Sequence, residues 1–125
     1  LSGSWRTREE LQELLSLGPR PELAEVRRVA AASLDAWRER PNIITTILNG
    51  LARERRARTA MHVLSVLRHG LVEANVFHYS ATITACEKGS CWEHAVAVLD
   101  DMGPNFVEPN VVSCSAAVSA CEKGL

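Results

Sequence analysis

The side chains best suited to chemistry in this sequence are small, polar and recurrent. Thr45, Ser80 and Ser115 stand 35 residues apart, and Asn75 and Asn110 keep the same interval. A hydroxyl and a carboxamide offer uncharged hydrogen-bond donors and acceptors, which suits recognition better than bond-making. Each also has a plainer use. A Ser or Thr in an early helical turn often bonds the local backbone, and an Asn before a helix often caps it. The groups that catalysis would draw on are scattered. His62, His69, His78 and His94 form no cluster, and His78 with Tyr79 has no carboxylate or cysteine at useful spacing. Asp100 and Asp101 are chain neighbours, so on a helix their side chains diverge. Cys86, Cys91, Cys114 and Cys121 contain no CxxC pair, and no HExxH, GxSxG, Gly-rich phosphate loop or zinc pattern occurs. The expectation is a chain that is not an enzyme and takes no metal or cofactor.

The interval of 35 is carried by more than these residues. Residues 75–90 (NVFHYSATITACEKGS) set above residues 110–125 (NVVSCSAAVSACEKGL) are identical at nine of sixteen positions without a gap. Self-similarity at a fixed period of about 20–50 residues is the mark of a repeat array. The repeated unit reads as two helices. Ala60, Val63, Leu64 and Leu67 become Ala95, Val98, Leu99 and Met102 one period later, at the three-and-four spacing of a helical face. Asn42 to Arg53 is rich in β-branched residues and alone would pass for a strand. The period decides for a helix, because Leu48 carries to Ile83 and Val118, and Gly50 to Ala85 and Ala120. Helices are also predicted over His78 to Lys88, Cys91 to Met102 and Val112 to Lys123. Gly89 and Gly124 are expected to supply left-handed exits, with Lys88 favourable in the last turn. The linkers match, Leu71 to Asn75 with Phe106 to Asn110. Upstream, Thr7 to Leu17 and Glu22 to Arg38 predict one helix each, separated by Gly18-Pro19-Arg20-Pro21. Cys86 and Cys121 share a repeat position, so they are expected in matching core slots rather than in a disulfide.

Composition agrees with stacked helices. Of 125 residues 46% are hydrophobic but only 5% aromatic, so the core is built from Leu, Val, Ile and Ala. Net charge is −1 and uneven. Residues 1–70 hold twelve arginines against eight acids, and residues 71–125 two lysines against seven acids. The chain as a whole makes no electrostatic case for a polyanion partner. Arg53, Arg55, Arg56 and Arg58 form the dense basic cluster, for which a solvated helix junction is the plain reading. No apolar run approaches the roughly 20 residues of a membrane span, so no membrane partner is expected. The sequence stops inside a repeat and reads as a fragment of a longer array.

The gapless period, the ending Val-Glu-Pro-Asn at 107–110 and the line YSATITACEKGSCWEHAVAVLDDM over 79–102 together resemble the pentatricopeptide repeat family. The tetratricopeptide repeat is the nearest rival, but its bulky first-helix landmarks are missing. The resemblance covers two full repeats, 41–75 and 76–110, and the first helix of a further one over 111–125. Residues 1–40 are left as a degenerate helical hairpin or N-terminal cap. The fold it implies is all-α, a right-handed α-solenoid of antiparallel helix pairs with a long concave surface. The function it implies is reading of single-stranded RNA, one base per repeat, in mitochondrial or chloroplast RNA processing, editing, stability or translation. Carried onto this chain, the base-reading residues are Thr45 with Asn75, Ser80 with Asn110, and Ser115 as half of a third pair. A small hydroxyl beside Asn implies adenine at the two complete repeats. The base-packing positions fall on Asn42, Phe77 and Val112, of which Asn42 departs from the usual apolar choice. The alternative is a tetratricopeptide-like scaffold for protein partners, which the acidic C-terminal half favours. A basic groove reached by Arg53, Arg55 or Arg58 would favour RNA over a peptide.

Overall fold

The computed structural model describes residues 4–70 and 72–124, and the described residues form eight helices and no strand. Helix α1 spans Ser4–Ser16, α2 Leu23–Ala31, α3 Leu34–Glu39, α4 Pro41–Arg53, α5 Ala57–His69, α6 Val76–Lys88, α7 Trp92–Asp101 and α8 Val111–Gly124. Leu71, the linker residue aligned with Phe106, lies outside the described residues, as do 1–3 and 125.

Local chemistry sets most of the boundaries. α1 ends because Gly18 turns back at φ +90, a conformation open to glycine and costly for other residues. α2 opens with a reciprocal cap between Glu22 and Glu25. Pro41 takes the first position of α4, where a missing N–H costs nothing. The Ile-Ile-Thr-Thr-Ile run of α4 is helical despite its β-branched content, since Ile44, Ile47, Leu48 and Leu51 then share one buried face.

Two local expectations are corrected. The segment 22–38 is not one helix: it breaks at Ala32-Ser33, where Ser33 N–H bonds Ala30 O at 2.9 Å, three residues back. The new direction buries Trp37, at 1% exposure, and lets Arg38 donate from Nη2 to Gly70 O at 2.6 Å. Residues 4–40 therefore hold three helices, α1 to α3. The second correction concerns Gly89, whose φ is −85. The left-handed residue is the next one, Ser90 at φ 59, matched 35 residues earlier by Arg55 at φ 59. In both places the chain is held by an N–H reaching back five residues, Cys91 to Cys86 O at 2.8 Å and Arg56 to Leu51 O at 2.9 Å. What glycine offers at 89 is space instead. A Cβ there would stand 3.2 Å from Ala85 O and 3.4 Å from the Ala57 Cβ. Gly124 is likewise no exit but the last helical residue of α8, and a Cβ on it would run into the Trp92 ring.

The helices pack in two sets. α1, α4, α6 and α8 follow one another, each against the next. α5 lies against α4 and α6, α7 against α6 and α8, and α2 against α1 and α5, while α3 packs on α4. The core runs through both sets: Val26 and Leu14, then Ile44, Leu48, Val63 and Leu67, then Tyr79, Ile83, Cys86 and Ala95. Gly50, Ala85 and Ala120 are buried where successive helices approach, and a Cβ on Gly50 would stand 2.5 Å from Leu11 Cδ2. All four cysteines are free thiols; Cys86 is buried and Cys121 half-buried.

Candidate functional site

The starts of α4, α6 and α8 fall at residues 41, 76 and 111, an interval of 35. The second residues of these helices are Asn42, Phe77 and Val112, and the fifth are Thr45, Ser80 and Ser115. One helical turn separates the two rows. All three members of the first row are exposed, Phe77 at 62% and Val112 at 57%, so neither apolar side chain belongs to the core. In the second row Ser80 is buried at 5%, Thr45 half-buried and Ser115 exposed.

Both asparagines cap helices. Asn75 Oδ1 accepts from Phe77 N at 3.0 Å and His78 N at 3.1 Å, and Asn110 Oδ1 accepts from Ser113 N at 2.9 Å. Each cap is closed from the other side three residues on. Asn75 N donates to His78 Nδ1 at 3.1 Å, and Asn110 N to Ser113 Oγ at 2.9 Å. Capping uses the carbonyl oxygen of each carboxamide, and the carboxamide N–H₂ is not part of it. The structure also brings together Ser80 and Asn110, thirty residues apart: Ser80 Oγ donates to Asn110 Oδ1 at 3.4 Å. The neighbouring hydroxyls behave differently. Thr46, Thr82 and Thr84 each donate to the carbonyl four residues back. Among the described residues no hydrogen bond joins Thr45 to Asn75 or Ser115 to an asparagine.

His78 is the residue that sequence reasoning passed over. It is fully buried, with Nδ1 accepting from Asn75 N and Nε2 at 3.1 Å from Pro41 O. A ring that accepts at Nδ1 and donates at Nε2 is the neutral imidazole. Burial lowers its pKa below the ordinary 6.5, with the Pro41 bond partly opposing. His78 thereby ties the first turn of α4 to the first turn of α6 and fixes the register of the two helices. The available signal was its place three residues after Asn75, the closing position of a capping box, which Ser113 fills after Asn110.

The far ends of the helices are joined electrostatically, Lys123 of α8 pairing with Glu87 of α6. The arginine cluster also lies at that end. Thr45 and Arg53 are eight residues apart on α4, roughly 12 Å along its axis at 1.5 Å per residue. Arg55 and Arg58 line a cleft along α5 and do not reach the hydroxyl row. The row instead has the partial positive charge of three helix N-termini. Among the described residues no group of three or more His, Cys, Asp or Glu side chains is disposed to hold a metal ion, and no helix is long and apolar enough to cross a membrane. No protein-family model matches the chain, and no curated protein matches it.

Proposed function

We propose that this chain is a stretch of pentatricopeptide-type α-solenoid that binds unpaired RNA along the first turns of α4, α6 and α8. The observation that carries this reading is the Ser80–Asn110 pair. Two residues thirty apart meet at 3.4 Å, on successive helices, with Phe77 and Val112 exposed one turn away. A base laid between Phe77 and Val112 packs on apolar side chains. Its Watson–Crick edge meets the Ser80 hydroxyl and the Asn110 carboxamide N–H₂, a donor and acceptor set that adenine complements. Thr45 with Asn75, and Asn42 with Phe77, make the corresponding place one interval earlier, and Ser115 opens a third.

The solenoid part of the proposal is supported by the interval of 35 between helix starts and by the packing order of the two helix sets. It is supported again by a groove of about 520 Å³ between α7 and α8, lined by Val96, Leu99, Cys114, Val118 and Cys121. One interval earlier Tyr79, Ile83 and Cys86 occupy the places of Cys114, Val118 and Cys121, and all three are fully buried in a helix that packs against α8. The groove is therefore shaped for one more amphipathic helix. The same groove favours a second reading, in which a partner protein supplies that helix and the chain is a scaffold.

The test is an amide NMR titration with short unstructured RNAs, one A-rich and one C- or U-rich, at low salt. Shifts around Thr45, Asn75, Ser80 and Asn110 with the A-rich RNA alone support both the RNA reading and the base assignment. Equal response to both RNAs removes the base assignment. No response to either removes the RNA reading and leaves the scaffold.

A further inference from the structure

Away from the hydroxyl row, the structure holds a cleft of about 750 Å³ running along α5, between the Pro19–Arg20 turn and the start of α7. Its lining side chains carry charge of one sign, although Asp101 pairs with Arg68 and Glu22 acts on His62 from outside the lining. Arg20, Arg55, Arg58, Arg68, His62 and His94 line it, and no carboxylate does. Such convergence is unexpected on a chain of net charge −1. Four of the six come from the α4–α5 junction and α5 itself, where Arg58 and His62 stand one turn apart. Arg20 and His94 are brought in from elsewhere by the fold.

Two of these groups are already held in place. Arg58 donates from Nε to Pro21 O at 3.1 Å, which fixes the guanidinium plane and leaves its terminal N–H groups to face the cleft. Arg68 pairs with Asp101, which anchors the far end. His62 Nε2 is shielded from solvent and makes no hydrogen bond of good geometry, with only a weak interaction between the ring and the Pro21 backbone. Burial and the neighbouring Arg58 both lower its pKa, against smaller opposing effects of Pro21 and Glu22. A shielded imidazole nitrogen without a good hydrogen bond costs free energy that a ligand atom recovers. Planar guanidinium forks match phosphate oxygens, and several around one cleft suit a ligand with more than one phosphoryl group. A volume of several hundred Å³ is that of a small-molecule site.

We infer that the cleft along α5 binds a compact ligand bearing several phosphoryl groups, held by Arg20, Arg55, Arg58 and Arg68, with His62 as a hydrogen-bonding partner. A ligand free in solution and the headgroup of a lipid share the recognising chemistry. The site is separate from the hydroxyl row, at the opposite end of α4.

The inference is tested on the whole 125-residue chain with inorganic tripolyphosphate as probe, by amide NMR and calorimetric titration at low and moderate salt. Saturable binding is expected, with shifts at residues 55–68 and 91–94 and none around Ser80 and Asn110. Arg58→Gln and Arg55→Gln, both at exposed side chains, should each weaken binding at least fivefold. Arg58→Lys should restore it only in part, because it keeps the charge and loses the fork. Vesicles carrying a polyphosphorylated inositol lipid form the second arm. Binding to vesicles without response to tripolyphosphate assigns the headgroup as source and supports the site. Response to neither probe overturns the inference. So does binding to tripolyphosphate that both glutamine variants leave unchanged. Single-stranded RNA shifting the α5 amides in place of tripolyphosphate also overturns it, since the cleft would then follow a nucleic-acid backbone.

Discussion

Asn110 offers the most discriminating single experiment, because capping and base reading use different atoms of one carboxamide. Oδ1 accepts the Ser113 N–H at 2.9 Å and the Ser80 hydroxyl at 3.4 Å, while a base edge would use the N–H₂. Asn110→Ala removes the cap and should cost about 1 kcal/mol, within the usual 0.5–2 for such losses. That lowers the melting temperature by about 4 °C for a domain of this size. Asn110→Asp keeps the acceptor and places a negative charge at the N-terminus of α8, worth about 0.3–1 kcal/mol in its favour. Its melting temperature should equal or exceed that of the parent. Yet it has no N–H donor. Adenine, which needs one at its ring nitrogen, should bind more weakly by about 1–3 kcal/mol, roughly 5- to 150-fold. A base edge that presents N–H donors to the carboxylate should gain. The assay pairs thermal unfolding with NMR titration of A-rich RNA for the parent and both variants. If Asn110→Asp binds A-rich RNA as the parent does, the base-reading argument fails. If Asn110→Ala melts unchanged, the capping argument fails.

Other expectations follow from buried groups. The pKa values of His78 and His62 are lowered in the fold, so their contribution to stability is complete above about pH 6.5 and is lost as pH falls below it. For buried His78 the slope is at most about 1.4 kcal/mol per pH unit; urea unfolding at pH 7.5 and 5.5 measures it, and a slope unchanged in His78→Gln would refute the assignment. Burial lifts the Cys86 thiol to about 12, whereas Cys114 is exposed. Brief alkylation followed by mass spectrometry should therefore label Cys114 in the native protein and Cys86 only after unfolding. Gly89→Val forces a side chain against Ala85 O and Ala57 and should destabilise by about 1–3 kcal/mol, seen as a shift in the urea midpoint; an unshifted midpoint would show that the α5–α6 contact is loose.

Periodicity identified α4 and α6 to α8 to within a residue or two and the buried face of α5, because each such face must recur at three and four residues whatever the helix packs against. Ala60, Val63, Leu64 and Leu67 are buried as their spacing requires. The interval of 35 also overrode the β-branched run of α4, since a register shared by three segments outweighs the propensity of one. Where no repeat supported the pattern, reading along the chain found α1 but took 22–38 for a single helix. The break at Ala32-Ser33 leaves no mark in composition, because it is imposed by burial of Trp37 and by the reach of Arg38 to Gly70. Gly89 looked like a conformational glycine and is a spacing glycine, a distinction that depends on Ala57 across the interface.

The candidate sites divide in the same way. Residue types and their interval were enough to single out Asn75, Ser80 and Asn110, and to offer helix capping as their plain use. Both asparagines cap through bonds to residues two and three positions on, which is local, whereas the meeting of Ser80 with Asn110 was decided by how α6 lies on α8. His78 acquired its role through Pro41, a contact between residues 37 apart. The arginines were visible as a local cluster, but the cleft they line needs Arg20 and His94, which only the tertiary structure brings together. Local sequence determines which face of a helix is apolar and where its ends can be capped. Which ends meet is a property of several helices packed at once, and no single segment encodes it.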